Sequence, residues 1–295
     1  MVGAGFAGIG AAIELVRAGH DDVVVLEAAD EVGGTWRDNT YPGCACDIPS
    51  HLYSFSFEPN PDWSRGYPSQ PEIQAYLQRT VDRHDVRRRI RFSTLVTELV
   101  WDDDDATWAV HTAGGEVLVA DVVVNGTGPL SRPHVPDLPG LDDFEGTVFH
   151  SARWDHGHDL AGERVAVVGT GASAVQFVPE IASRAGHTTV FQRTAPWVIG
   201  REDRTVPRWK RRLYRRFPAL QRLHRWRIYL RQELLVLAFL GHPRVTQRVA
   251  AMGEEHIDAA IDDPTLRAAV TPTITPGCKR LLISDDWYPT LTRPD

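Results

Sequence analysis

Gly3-Ala4-Gly5-Phe6-Ala7-Gly8 decides how this chain is read. Ile9, Ala12, Ile13 and Val16 continue from this GxGxxG turn at helical spacing, and Gly19 ends the helix. Val23-Val24-Val25-Leu26 then reads as a buried strand, with Glu27 at its end, 19 residues past Gly8. Turn, helix, strand and acidic residue in this register form a dinucleotide-binding fingerprint. The glycines let the backbone approach a pyrophosphate on the helix amino end, and the carboxylate accepts hydrogen bonds from an unphosphorylated ribose. Gly3, Gly5, Gly8 and Glu27 are therefore expected to hold a nucleotide such as FAD.

A second fingerprint lies mid-chain. Arg164 to Val168 reads as a strand, and Gly169-Thr170-Gly171-Ala172-Ser173-Ala174 repeats the turn with alanine in third place, which the pattern allows. A helix through Val175, Val178 and Ile181 follows, with Pro179 as an expected kink, then Gly186 and a strand from Thr188 to Phe191. Where the first unit has Glu27, the second has Gln192-Arg193-Thr194. An arginine there meets a ribose carrying a phosphate, which a carboxylate would repel. The first turn thus suits FAD and the second NADPH, and two such folds in one chain imply a flavoprotein that takes hydride from a nicotinamide.

The rest of the composition bounds this reading. The 295 residues allow about two domains, and 42% hydrophobic with 24% charged residues is ordinary for a globular chain. The apolar run Leu234 to Leu240 is far shorter than the about 18 residues of a membrane span. No basic or apolar leader precedes Gly3, so a cytoplasmic location is expected. A net charge of −7 argues against nucleic acid as a partner. Three cysteines make no disulfide framework, and Cys44-Ala45-Cys46 lacks the two-residue spacing of redox and zinc pairs. The histidines, His156-Gly157-His158 included, show no metal spacing, and no metal is expected.

Between the fingerprints, Phe92 to Val100, Thr107 to Thr112 and Glu116 to Val124 read as strands, with Asp102 to Asp105 and Gly114-Gly115 as turns. Val122 to Val124 runs into Asn125-Gly126-Thr127-Gly128, returning the chain to the first sheet before a crossing at Pro133, Pro136 and Pro139. The expected architecture is α/β with two Rossmann-like domains. Residues 1–140 form an FAD domain, 141–160 a linker, and 161–295 an NADPH domain with a helical insert at about 201–270. Only Met1 and Val2 precede Gly3, where a strand of about five residues is usual.

The linker carries the most specific pattern. Phe144, Gly146, His150, Trp154 and Asp155 occupy every fixed position of FxGxxxHxxxW[P/D], and Gly33-Gly34-Thr35-Trp36 with Tyr41-Pro42-Gly43 and Asp47 fits GGxW followed by YPGxxxD. In these patterns the chain resembles the Baeyer–Villiger monooxygenases, a branch of the flavin-containing monooxygenases. The resemblance implies FAD, NADPH and O2 acting through a flavin peroxide on a ketone, giving an ester or lactone. It makes Arg280, in Gly277-Cys278-Lys279-Arg280, the cation that stabilises the peroxide and the oxyanion, and Asp47 the carboxylate that orients it. It also places Gly34, Thr35, Trp36, Arg37 and Asp38 along the flavin with Tyr53 nearby, and Lys279, one of two lysines in the chain, beside Arg193 on the NADPH phosphate. His150, with Phe144, Gly146 and Trp154, becomes a conformational linker rather than a catalytic group. Members of the family continue well beyond the arginine segment, so the chain is expected to be truncated at both ends, with the carboxyl-terminal part of the fold missing.

Three other readings stay open at this level. They are nitrogen or sulfur oxidation by a related flavin enzyme, a catalytically silent nucleotide-binding chain, and a disulfide reductase, which Cys44-Ala45-Cys46 does not equip. Arg208 to Gln232 holds ten Arg or Lys residues and no Asp or Glu, interleaved with Trp209, Leu213, Tyr214, Leu220, Leu223, Trp226 and Tyr229. Residues 208–240 could therefore lie on a membrane surface, although Pro218 interrupts the helix.

Overall fold

The computed structural model describes residues 1–240 and 242–294, together with all but a few side chains near the end of one helix. The chain divides into two compact units, residues 1–40 with 70–153 and residues 41–69 with 154–295.

In the first unit, α1 (Phe6–Arg17) buries Ile9, Ala12 and Ile13 on one face, as their spacing predicts. Each isoleucine contributes about 1.5–3 kcal/mol by leaving water. The unit continues with β1 (Val25–Leu26), α2 (Thr35–Asp38), α3 (Gln70–Arg83), β2 (Ile90–Arg91), β3 (Val96–Asp102), β4 (Thr107–Thr112) and β5 (Val117–Ala120). Its parallel array is short. Val2 bridges Asn125 on one side and Leu26 on the other, and β1 pairs with β2. Met1 to Gly3 thus occupy a central strand position despite their brevity, with the Gly3 amide donating to Leu26 at 2.8 Å.

β3, β4 and β5 form an antiparallel meander with a register irregularity between Val96 and Glu98. The turn Asp102 to Asp105 closes on the Asp102 carboxylate, which accepts from the amides of Asp104 and Asp105. Three strand expectations shorten: Val23 to Leu26 yields only Val25–Leu26, Glu116 to Val124 yields only Val117–Ala120, and Phe92 to Val100 starts at Val96. α3 is not among the sequence expectations, although Ile73, Tyr76, Leu77 and Val81 bury one face of it.

The second unit holds β6 (Arg164–Val168), α4 (Ala172–Ala182), β7 (His187–Phe191), β8 (Val198–Ile199), α5 (Arg208–Arg216), α6 (Pro218–Phe239), α7 (Pro243–Ala260), α8 (Pro264–Val270), β9 (Leu282–Ile283) and α9 (Trp287–Leu291). β6 and β7 are parallel with α4 between them, the βαβ unit the second fingerprint demands, and α4 runs through Pro179 to Ala182. α5 to α8 fill the expected helical insert, with Pro218 at the break between α5 and α6. β8 and β9 pair in parallel, and Gly253 of α7 lies so close to Trp197 that a Cβ would stand 2.6 Å from its ring.

The compact units differ from the expected domain bounds at residues 41–69 and within the linker 141–160, which divides at 153/154. Residues 41–69, assigned from sequence to the first domain, belong to the second unit. Tyr41 Oη donates to Gln176 on α4 at 3.1 Å, Arg65 bridges to Thr205, and the Arg65 guanidinium pairs with Asp203 at 2.6 Å. These partners are well over a hundred residues away in sequence, beyond the reach of any local pattern.

Candidate functional site

At two of its three fingerprint positions, Gly3 and Gly8, the first-unit turn has no room for a side chain. Gly3 sits at φ +95°, where a Cβ would also stand 2.7 Å from the Gly126 carbonyl oxygen, and a Cβ on Gly8 would stand 1.8 Å from the Gly3 carbonyl oxygen. Gly126 closes this cradle; sequence reasoning takes it only as part of a glycine-rich break, and its signal is the strand immediately before it. Gly5 begins α1 without a side-chain cap, and a helix start of that kind attracts phosphate.

Glu27, only 5% exposed, accepts from the Ala4 amide at 2.7 Å on Oε2, and from the Ala29 amide and Arg37 Nη1 on Oε1 at 3.0 and 2.9 Å. Among the described hydrogen bonds Oε2 keeps one lone pair for a further donor. The cradle and this carboxylate fit the adenosine half of a dinucleotide.

Gly34, Thr35, Trp36, Arg37 and Asp38 gather on α2 and its approach, with Trp36 buried. A Cβ on Gly34 would stand 3.2 Å from the Gly5 Cα. Burial alone would lower the Arg37 pKa, but Asp38 and Glu27 overcome it and hold the group above its ordinary value. Arg37 also bonds the Glu31 carbonyl at 2.7 Å, so it is a structural clamp for this loop.

In the second unit Gly169 takes φ +107°, and Gly171 opens α4 with no atom within 4 Å of a built Cβ. That open cradle fits a nucleotide approaching the helix start. Thr170 lies against Thr194, its hydroxyl 3.5 Å from the Thr194 carbonyl, and Ser173 hydrogen-bonds Tyr41. Ala172 and Ala174 form the first turn of α4, with Ala174 buried. Arg193 and Lys279 are both exposed, and no described contact joins them.

The same unit joins Asp47 to Arg280. Nε lies 2.7 Å and Nη2 2.5 Å from Asp47 Oδ2, with the Asp47 side chain 14% exposed and that of Arg280 62%. The Asp47 loop is held by Gln176, which sequence reasoning misses. Its amide accepts from Tyr41 Oη and the Ala45 amide and donates to the Ala45 carbonyl at 3.0 Å. Gly43, at φ +75°, lets the loop approach α4, since a Cβ would stand 2.8 Å from the Gln176 carbonyl oxygen. Burial pushes the thiols of Cys44 and Cys46 up to about 11 and about 12, so neither is a thiolate near neutral pH. Tyr53, half-buried, lies on this segment, its amide bonded to the Pro49 carbonyl at 3.1 Å.

The linker pattern straddles the division between the units, at Arg153 and Trp154. Phe144 and Gly146 are exposed, and a Cβ on Gly146 would meet the Phe144 ring. His150 Nδ1 accepts from the Ala152 amide at 3.0 Å, and Trp154 packs on Phe177 at 5.2 Å.

Comparison with known proteins agrees with these features. Residues 1–216 match the family model described as pyridine nucleotide-disulphide oxidoreductase. A Baeyer-Villiger monooxygenase of Streptomyces coelicolor is 52% identical over 100% of this chain and 57% of its own length. Cyclohexanone monooxygenase from Rhodococcus sp. Phi1, solved bound to NADP+, is 33% identical with a TM-score of 0.86, over 99% of this chain and 62% of that one. The OTEMO complex with FAD and NADP is 29% identical with a TM-score of 0.84, over 99% and 63%. The chain therefore spans about three-fifths of the length of the relatives it matches.

Proposed function

This chain belongs to the pyridine nucleotide-disulphide oxidoreductase family, and on that premise we propose that it is a flavin- and NADPH-dependent monooxygenase of the Baeyer–Villiger type. Its substrates are a ketone, O2 and NADPH; one oxygen atom enters the ester or lactone and the other leaves as water. The observation that carries this reading is the pairing of exposed Arg280 with largely buried Asp47. FAD, reduced by NADPH, supplies the oxygen-activating chemistry when bound. The chain's own residues bind and orient.

Gly3, Gly5, Gly8 and Glu27 would hold the FAD phosphates and ribose, and the Gly169 to Ala174 turn the NADPH pyrophosphate. Exposed Arg193, with Lys279, suits the phosphate that separates NADPH from NADH. Arg280 stabilises negative charge that develops on the former carbonyl oxygen once oxygen adds to the ketone. Asp47 binds two of its nitrogens and so holds the guanidinium plane in one orientation. His150 serves the linker rather than the chemistry. The raised thiols of Cys44 and Cys46 leave the Cys44-Ala45-Cys46 pair without a thiolate for the disulfide exchange that the family description also covers.

The test is the visible spectrum of the purified chain, then anaerobic NADPH, then air with a cyclic ketone. A yellow protein that bleaches and forms lactone supports the reading. A colourless protein overturns it, and so does oxidation of a sulfide with the ketone left untouched.

A further inference from the structure

α6 is built inside out. Its packed side carries polar groups. Gln221, 3% exposed, donates to the Asn60 carbonyl at 2.7 Å, and His224 Nδ1 meets the Tyr214 hydroxyl at 2.9 Å. Arg225 donates to the Leu52 carbonyl at 2.8 Å and the Ser54 hydroxyl at 3.1 Å. The opposite side carries Leu223, Trp226, Leu230 and Leu234, exposed at 56%, 60%, 43% and 64%. At 3.6 residues per turn these four fall within a sector of about 80°. Arg222 and the single carboxylate Glu233 border that stripe on one side, and Arg227 and Arg231 on the other, three cations to one anion. Of the apolar run Leu234 to Leu240, the side chains of Leu235, Leu237, Ala238 and Phe239 lie outside the described residues.

α5 extends the basic surface. Arg208, Arg211, Arg212 and Arg215, at helical spacing, line a hollow of about 260 Å³. Among the described residues only Arg215 of these four has an ion pair, with Asp62 at 2.5 Å.

A solvated helix turns its polar side outward. An outward apolar stripe marks a contact surface, and the charges around it select the partner. A second copy seated on the stripe would bring Arg222, Arg227 and Arg231 toward the same three cations of its partner, a repulsive arrangement. An anionic bilayer complements both features, because the stripe enters the acyl boundary, tryptophan sits at headgroup depth, and the arginines meet lipid phosphates and carboxylates. We propose that the α5–α6 face docks this protein on an anionic membrane surface as a peripheral contact. Among the described residues no helix is long and apolar enough to cross a membrane. This proposal stands apart from the nucleotide chemistry.

The test is co-sedimentation of the full chain with phosphatidylcholine vesicles, alone or with phosphatidylserine as about a third of the lipid. Binding to the mixed vesicles at least about tenfold tighter, and weakening with salt, is expected. Replacing Arg222, Arg227 and Arg231 together with glutamine should lower that affinity about 100-fold, at about fivefold per charge. Leu223→Ser with Trp226→Ser and Leu230→Ser should abolish it, with far-UV circular dichroism unchanged because all three side chains are exposed. If either variant fails to fold, the salt dependence of the unaltered chain decides alone.

Equal affinity for both vesicle types, or none for either, overturns the proposal. So does lipid-free self-association that the serine variant dissolves, which would give the stripe to a second copy.

Discussion

Arg280 reaches across 233 residues of sequence to place Nε and Nη2 on the same oxygen of Asp47, at 2.7 and 2.5 Å. The geometry leaves Asp47 Oδ1 outside the pair and sets the guanidinium at the surface of its unit. With the guanidinium end 62% exposed, the pair contributes about 1 kcal/mol to stability, so a much larger effect of removing the arginine must appear in function.

Arg280→Ala should therefore leave the melting temperature and the NADPH-dependent bleaching of flavin nearly unchanged while lactone formation falls by about 100-fold or more. Asp47→Asn should keep the cation but loosen its orientation, with a smaller loss. Product analysis by gas chromatography beside stopped-flow reduction separates the two steps. Equal loss of reduction and product in Arg280→Ala would place the arginine elsewhere in the cycle.

Two glycine substitutions should part company. A Cβ on Gly8 collides with the Gly3 carbonyl inside the protein, whereas a Cβ on Gly171 meets no atom within 4 Å. Gly8→Ala is expected to destabilise the fold by about 1–3 kcal/mol and to lose FAD. Gly171→Ala, with an ordinary φ of −77°, should melt like the parent and bind NADPH at least about tenfold more weakly. Calorimetric melting with NADPH titration distinguishes them.

Stability should fall in mild acid because of His51. Burial, with His224 and Lys210 adding to it, lowers its pKa to about 3, and its Nε2 finds no hydrogen-bond partner among the described residues. The unfolded chain takes up that proton near pH 6.5, the folded protein only near pH 3. The contribution is thus complete above pH 6.5 and is lost as pH falls toward 3, on the order of 5 kcal/mol in all. His224 is lowered too, by burial and by Lys210 and Arg227, and adds in the same direction. Urea unfolding of the parent and of His51→Leu from pH 7 to pH 4 should converge. Parallel curves would show that His51 titrates alike in both states.

The thiols should divide by burial. Cys278 is exposed while Cys44 and Cys46 are buried with raised pKa values. Native protein at pH 8 should present one reactive thiol to Ellman's reagent, and denatured protein all three. Rapid reaction of a second thiol in the native state would show that the Cys44 to Cys46 segment opens readily.

By itself the sequence determined the two glycine turns, the helices that follow them and the acidic residue that closes the first fingerprint. Each is a local matter: glycine tolerates positive φ, and apolar residues three or four apart face one side of a helix. The linker pattern and the Asp47–Arg280 partnership were legible only through resemblance, since no rule of spacing joins residues so far apart. Tertiary structure alone decided that residues 41–69 pack in the second unit, that Gln176 clamps the Asp47 loop, and that Gly126 closes the first cradle. It also decided which side of α6 faces outward. Periodicity shows that Leu223, Trp226 and Leu230 share a face, but only the hydrogen bonds of Gln221, His224 and Arg225 show that the polar face is the buried one.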